Sequence, residues 1–114
     1  MPLLKIQTNR HLDEVAAVHL ARDASRAVAE ILGKPERYVM VDVVTGRTML
    51  FAGTDEPLAY LELKSIGLPE DRTAEFSAAL CEFICTRLRV PKERIYIEFS
   101  GAERHMWGWN GGTF

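Results

Sequence analysis

The sequence predicts an α+β fold: a doubled β-α-β unit with a four-stranded sheet and two helices on one face. Two observations support this prediction. Segments with strand and helix patterns follow one another in the same order in each half of the chain. The two halves, about residues 1–57 and 58–114, also align at a fixed offset of 57 residues, with matching apolar and polar classes in their first strands. An internal repeat of this kind determines the architecture of a chain.

The first half is predicted to contain a strand, a long helix and a second strand. Leu3 to Gln7 is compatible with a strand. Apolar residues then recur at three- and four-residue spacing and predict a helix from Asp13 to Leu32, with Asp13 as its N-cap and Gly33 as its C-cap. Tyr38 to Val44 is rich in β-branched residues, which favours a strand. A turn and a short extended segment at 49–51 follow.

The second half repeats this order. Leu58 to Ile66 is predicted to be a strand, Asp71 to Leu88 a helix and Ile95 to Phe99 a strand, with a short extended segment at 106–109. A strand–helix–strand unit joins two parallel strands by a crossover, so two units give one four-stranded sheet. Because both helices cover the same face, the other face is left bare. A chain this short cannot cover it, so we expect the protein to form an oligomer.

Length and composition restrict the class of protein. A chain of 114 residues with 47% hydrophobic and 26% charged residues is expected to form a single domain, 1–114, with a substantial core. The net charge of −2, with both signs interspersed, argues against nucleic-acid binding. There is neither an apolar run of roughly 20 residues nor a signal-peptide pattern. We therefore expect a cytoplasmic protein with no nucleic-acid or membrane partner, and secretion without a signal peptide is left open.

The N-terminus holds the first candidate catalytic group. Met1 precedes a small residue, so we expect it to be removed, which leaves Pro2 with a free secondary amine. An ordinary α-amino group has a pKa of about 7.7–8.0, and both burial and a nearby cation lower it. A neutral amine poised near physiological pH is a competent general base. Met-Pro alone more often marks only an extended chain start, so the interpretation depends on the rest of the chain.

Three further features fit a site, although each also has a structural explanation. Lys34 follows the first helix, where the helix dipole by itself favours a cation. Tyr96 and Glu98 share one face of a strand, which is equally explained as its solvated face. The tail is unusually aromatic and is suited either to core packing or to forming a wall for an aromatic substrate, through Met106, Trp107, Trp109 and Phe114.

No metal site is expected. The three histidines, His11, His19 and His105, are scattered without the spacing of metal ligands. The two cysteines, Cys81 and Cys85, lie one turn apart in a predicted helix and are interpreted as packed side chains.

Several motifs together resemble the macrophage migration inhibitory factor family of the tautomerase superfamily, which includes phenylpyruvate and D-dopachrome tautomerases. They run in the family's order along the whole chain: Met1-Pro2, Gly33-Lys34-Pro35 with Tyr38, Glu56-Pro57, Ser65-Ile66-Gly67, Val90-Pro91 with Tyr96-Ile97, and Gly108-Trp109-Asn110 with Thr113-Phe114. The resemblance implies a homotrimer and a cofactor-independent isomerase that acts on phenylpyruvate-like or dopachrome-like compounds. It leaves open a second function, that of a cytokine-like ligand of a receptor with a vestigial cavity.

The resemblance also implies roles for individual residues. Pro2 is the general base, and Lys34 holds a substrate oxygen and keeps Pro2 neutral. Ile66 and the backbone around Ser65 line the same cavity, and Tyr96 arrives from the neighbouring subunit. An aromatic wall is implied for Tyr38, Trp109 and Phe114.

The chain departs from the family pattern at two places. Leu58-Ala59-Tyr60-Leu61 stands where some members have a Cys-x-x-Cys motif, so thiol–disulfide chemistry is not carried over. Glu98 replaces an amide residue of the animal members, and a carboxylate close to the cavity is expected either to alter substrate preference or to raise the pKa of Pro2.

Overall fold

The computed structural model describes residues 1–114 and confirms the α+β fold. Four strands form one mixed sheet in the order β2-β1-β3-β4, in which the outer pairs are parallel and the central pair, β1 with β3, is antiparallel. The elements are β1 Leu3–Thr8, α1 Glu14–Leu32, β2 Met40–Val44, β3 Ala59–Ile66, α2 Thr73–Leu88, β4 Ile95–Ala102, and a C-terminal hairpin of β5 Gly108–Trp109 and β6 Gly112–Thr113. Neither helix is long and apolar enough to cross a membrane.

A single core lies between the sheet and the two helices. Alternate residues of the central strands point towards the helices and are fully buried, namely Leu4, Ile6, Leu61 and Leu63. The helices supply rows of buried residues at four-residue spacing, namely Leu20, Ala24 and Val28 from α1 and Phe76, Leu80 and Ile84 from α2. Each large apolar side chain buried in this way contributes roughly 1.5–3 kcal/mol. Packing against one shared core therefore fixes both halves in a common frame.

The internal repeat is present, but its offset changes after the first strand of each half. Leu4 and Ile6 correspond to Leu61 and Leu63 at an offset of 57 residues. The buried helix residues correspond at an offset of 56, and so do the helix caps Gly33 and Arg89 and the prolines before the next 3-10 turns, Pro35 and Pro91. The fixed offset of 57 is therefore wrong beyond the first strands, because the connection from strand to helix is one residue shorter in the second half. Lys34 consequently corresponds to Val90, and Tyr38 to Arg94.

Several predicted boundaries are also wrong. Strand β2 begins at Met40 rather than Tyr38, because residues 36–38 form a 3-10 turn. The second helix begins at Thr73 rather than Asp71, because residues 70–72 form a 3-10 turn. Strand β4 runs past Phe99 to Ala102, since it pairs with β3 along its whole length. The extended segment predicted at 49–51 forms no strand. It leads into a tight turn closed by a bridge between Phe51 and Thr54, with positive φ at the two residues between them.

The face of the sheet opposite the helices is uncovered, as predicted. Charged side chains lie across the middle of all four strands on this face, namely Lys5, Asp42, Glu62, Lys64 and Glu98. Exposed apolar or aromatic side chains, such as Met40 and Tyr96, lie nearer the ends of the two outer strands. The alternation of strand residues explains this, because every second side chain faces away from the core. Association of several chains through this face stays a prediction.

Candidate active site

The N-terminal residues are built into the edge of the core. Pro2 precedes β1, and its carbonyl oxygen accepts a hydrogen bond of 2.9 Å from the backbone N–H of Met40. A proline fits here because the first position of a strand does not need a backbone donor. The Pro2 side chain is fully buried. The Met1 amine donates a hydrogen bond of 2.5 Å to the backbone oxygen of Tyr38.

This position depresses the basicity of an amine. Partial burial, and secondly the positive charge of Lys34, lower the pKa of the Met1 amine below its ordinary value. Both causes disfavour the protonated form. These are the two causes expected from the sequence for an amine on Pro2, one residue further along.

The turn after α1 brings Lys34 to the site. Gly33 ends the helix in the left-handed conformation, with φ of 64°, and its N–H and that of Lys34 bond back to the last turn of the helix. Such a cap reverses the chain and suits glycine, which has no Cβ to clash. The Lys34 Nζ then donates to the backbone oxygen of Ile66 at 3.4 Å and lies in no ion pair.

The antiparallel register of the central strands explains why Ile66 lies beside the N-terminus. Leu3 lies opposite Lys64, so the residues before Leu3 run alongside the residues that follow Lys64. Ser65 is buried, and its hydroxyl also donates to the Ile66 oxygen, at 3.3 Å. The predicted group of Pro2, Lys34, Ser65 and Ile66 is thus gathered at one end of the sheet.

Three aromatic rings form the wall that the family resemblance implies. Tyr38 packs edge-on against Trp109 and Phe114, with ring centroids 5.9 and 5.6 Å apart, and Trp109 stacks on Phe114 at 5.2 Å. The C-terminal hairpin supplies Trp109 and Phe114, and the turn before β2 supplies Tyr38. The chain end is held by bonds from the Phe114 N–H to the Trp107 oxygen and from the Arg104 Nε to the Phe114 oxygen.

The rings and the N-terminus enclose a cavity of about 380 Å³, a size suited to a small molecule. Its lining consists of Met1, Pro2, Leu3, Arg37, Tyr38, Val39, Met40, Trp107, Gly108, Trp109 and Phe114. Trp107, singled out in the aromatic tail, is among these lining residues, and its contact with a substrate stays a prediction. The sequence analysis missed Arg37 and Met40, which flank the recognised Tyr38. Arg37 lies on the same 3-10 turn as Tyr38 and Met40 begins β2, and no sequence signal marks either of them as a cavity residue.

Five predicted site residues are not part of the cavity lining within one chain. Lys34, Ser65 and Ile66 lie close by, at the end of β3 beside the N-terminus. The other two lie further away. Tyr96 is 65% exposed and packs on Phe51, with ring centroids 4.7 Å apart. Glu98 lies on the uncovered sheet face, where it accepts a hydrogen bond of 3.3 Å from the Tyr60 hydroxyl. Burial, together with the charges of Glu62 and Glu98, raises the pKa of Tyr60 to about 12. Delivery of Tyr96 and Glu98 to a neighbouring subunit's cavity stays a prediction.

The fold and the site define a class of small α+β proteins: a doubled β-α-β unit with a cavity beside its N-terminus. The family model described as macrophage migration inhibitory factor (MIF) matches residues 1–114. The chain belongs to the macrophage migration inhibitory factor family.

Similarity to individual members extends over the whole chain. The chain is 38% identical over 115 residues to the macrophage migration inhibitory factor homolog of Brugia malayi. This alignment covers 100% of this chain and 99% of that protein. The macrophage migration inhibitory factor of Mus musculus is 33% identical, with the same coverage. Among solved structures, the homologue from Prochlorococcus marinus superposes with a TM-score of 0.91 at 43% identity, covering 98% of each chain. The protein from Trichinella spiralis gives 0.89 at 33% identity, over 98% of this chain and 99% of that one.

Proposed function

We propose that this protein is a cofactor-independent keto–enol tautomerase for phenylpyruvate-like or dopachrome-like compounds. The observation that carries the proposal is the setting of the N-terminal amine. Burial and the charge of Lys34 lower the pKa of the Met1 amine, and both Met1 and Pro2 line an aromatic cavity of about 380 Å³. The proposal extends this setting to the amine that Pro2 would carry after removal of Met1. Membership of the macrophage migration inhibitory factor family supports the same function.

The proposed reaction moves one proton and needs no redox partner. After removal of Met1, the neutral amine of Pro2 takes a proton from the carbon next to the substrate's keto group. The electrons of that C–H bond form the C=C bond of the enol, and the keto oxygen gains negative charge. The Lys34 ammonium stabilises this charge, as a fixed cation does in a site that excludes water. The proton on Pro2 then passes to the oxygen, and the reverse sequence gives the keto form.

The aromatic wall orients the substrate in this proposal. Trp109 and Phe114 stack on each other and present apolar ring surface to the cavity, as does Tyr38. When the substrate's aryl ring packs against this wall, the carbon that loses the proton lies next to Pro2 and the keto oxygen lies towards Lys34. Correct orientation of a bound substrate contributes several kcal/mol to catalysis.

We further propose that the active form is a homotrimer. The uncovered sheet face and the 65% exposure of Tyr96 support association through that side of the molecule. Tyr96 would reach the cavity of the next subunit and bring Glu98 close to its rim. A monomer of about 13 kDa in sedimentation equilibrium at micromolar concentration would contradict this assembly.

The competing function is that of a cytokine-like protein ligand of a receptor, which is equally consistent with the names of the relatives. The two functions differ in whether the amine is needed. A receptor ligand with a vestigial cavity requires neither a free Pro2 nitrogen nor an unpaired Lys34.

The decisive experiment follows enolisation of 4-hydroxyphenylpyruvate by ultraviolet absorbance. Intact mass spectrometry first verifies that Met1 is absent from the wild type. An alanine inserted between Met1 and Pro2 converts the Pro2 nitrogen into an amide, so kcat/KM is expected to fall by roughly 10²–10⁴-fold. The matched control is Ala59→Gly, at the corresponding buried position of the second half, which should retain activity. Full activity in the insertion variant would refute the proposed base.

A further inference from the structure

We propose that Arg37 is a specificity-determining residue that binds a second anionic group at the outer end of the substrate. This inference rests on the proposed function and narrows its substrate class to arylpyruvates with a carboxylate or comparable anion on the ring. The chemistry follows from a guanidinium at the rim of a cavity that is otherwise lined by apolar side chains.

The position of Arg37 is held by the aromatic wall. Its Cζ lies 4.8 Å from the centroid of the Tyr38 ring, in a cation–π arrangement. Tyr38 in turn is held edge-on by Trp109 and Phe114. The guanidinium is therefore ordered on the same ring that would contact the substrate, and less side-chain freedom is lost when it binds an anion.

The donors of Arg37 are available. Arg37 lies in no ion pair, whereas Arg72 and Arg87 each pair with a carboxylate. The Arg94 guanidinium is also occupied, because it donates hydrogen bonds to four backbone oxygens. Within one chain no Asp or Glu side chain lines the cavity, and Arg37 is the one charged side chain in its lining. The carboxylate proposed to approach the rim, Glu98, belongs to a neighbouring subunit. The planar guanidinium fork matches a carboxylate through two parallel hydrogen bonds.

The topology separates the two cations across the N-terminus. Arg37 lies just before β2, which pairs with one edge of β1. The Lys34 Nζ reaches to Ile66 at the end of β3, which pairs with the other edge. A substrate that places its pyruvoyl end at Lys34 can therefore extend its ring along the wall towards Arg37. A ring carboxylate suits this arrangement better than a neutral or hydroxyl group.

The test measures binding without turnover, so its outcome does not depend on Pro2. The chain has two tryptophans, Trp107 and Trp109, and both line the cavity, so their fluorescence reports occupancy. The probes are 3-phenylpropanoate and 3-(4-carboxyphenyl)propanoate, which lack the keto group and differ by one anion. Wild type should bind the dianion more tightly than the monoanion.

Arg37→Gln should weaken the dianion roughly tenfold and change the monoanion less than twofold. Arg37→Lys keeps the charge but loses the planar fork of the guanidinium. Its affinity for the dianion should lie between the affinities of wild type and Arg37→Gln. Arg22→Gln, which removes an exposed arginine of α1 outside the cavity, is the control for net charge and should match wild type. Circular dichroism verifies the fold of each variant.

The inference is overturned if Arg37→Gln weakens both probes equally, if it weakens neither, or if wild type does not prefer the dianion. Loss of the tautomerase hypothesis gives a different pattern. The insertion before Pro2 would then leave enolisation unchanged, while the preference of Arg37 for the dianion would remain measurable by fluorescence.

Discussion

The two halves share one frame but differ at the end where the first half holds its candidate site. Pro2 and Ala59 are both buried at the start of the first strand of their half. After the helix, Lys34 of the first half corresponds to Val90 of the second, which is fully buried in the core. Tyr38 of the aromatic wall corresponds to Arg94, which binds four backbone oxygens of the loop at 51–57.

The second half nevertheless has a cavity at the corresponding place. It has a volume of about 350 Å³, and its eight lining residues are Met49, Leu50, Phe51, Ala52, Leu58, Ala59, Tyr60 and Tyr96. The sequence positions of Leu58, Ala59 and Tyr60 match those of Met1, Pro2 and Leu3 in the first cavity. The repeated frame therefore produces a cavity twice. The candidate base and the two candidate cations, Lys34 and Arg37, belong only to the first half.

The largest effect is expected from giving the second half the lysine of the first. Val90→Lys places an ammonium at a fully buried position with no partner, which is expected to cost roughly 3–5 kcal/mol or more. That is a large part of the total stability of about 5–15 kcal/mol typical of a domain. Urea denaturation followed by circular dichroism should show a greatly lowered midpoint.

The reverse exchange, Lys34→Val, is the matched control. It removes one long hydrogen bond of 3.4 Å at a half-exposed position, so the midpoint should hardly change. Activity should instead fall roughly 10²-fold. Because the charge of Lys34 lowers the pKa of the N-terminal amine, its removal should move the acidic limb of the kcat/KM profile to higher pH. A stable Val90→Lys variant would show that the two positions differ less than their burial indicates.

An intermediate effect is expected at the second corresponding pair, Arg94 and Tyr38. Arg94→Ala leaves the backbone oxygens of Phe51, Thr54, Glu56 and Pro57 without their shared donor. Hydrogen bonds from a charged group are worth roughly 1.5–3 kcal/mol, so the free energy of unfolding should fall by about 2–3 kcal/mol. Thermal unfolding measures the loss.

Tyr38→Phe is the control for that experiment. The Tyr38 hydroxyl makes no hydrogen bond, and the ring that packs on Trp109 and Phe114 is retained. Unfolding should therefore stay unchanged. If Arg94→Ala were equally harmless, the loop at 51–57 would not depend on this arginine.

The smallest effect is expected at the helix caps. Gly33 and Arg89 occupy the same position of the repeat, and both are left-handed, with φ of 64° and 56°. A residue with a Cβ pays about 1–2 kcal/mol for this conformation. Gly33→Ala should therefore lose about 1 kcal/mol through backbone strain alone, since no atom lies within 4 Å of the new Cβ. Arg89→Gly should raise the free energy of unfolding by about 0.5–1 kcal/mol. The Tm values of Gly33→Ala and Arg89→Gly should therefore shift by similar amounts in opposite directions. Shifts of the same sign would contradict the equivalence of the caps.

Local sequence signals predicted the elements that carry strong periodicity. The helix caps Asp13 and Gly33 were identified correctly, because capping depends on side chains within one turn. The alternating strands and the four-stranded sheet followed from the repeat. The fixed offset failed, since one deleted residue in a connection leaves each element's own pattern intact while shifting its alignment.

The site was predicted less completely, because it depends on contacts between distant segments. Pro2, Lys34, Tyr38, Ile66 and Trp109 were found through family resemblance, and the structure brings them to one end of the sheet. Arg37 was missed since nothing in its sequence neighbourhood distinguishes a cavity-facing arginine from a solvated one. Only the packing of Tyr38 against the C-terminal hairpin turns that stretch into part of a cavity wall.

The hydrogen bond from the Met1 amine to Tyr38 indicates when the proposed removal of Met1 has to occur. In the folded chain this amine is partly buried and hydrogen-bonded to a residue 37 positions later. A peptidase could therefore reach Met1 only after local unfolding of the N-terminus. During synthesis at roughly 5–20 residues per second, Tyr38 is added only about 2–7 seconds after Met1, and the amine has no partner until then. The proposed removal of Met1 thus belongs to the growing chain, before β1 finds its neighbours. Protein refolded from a source that has retained Met1 should keep the residue even when it is later mixed with methionine aminopeptidase.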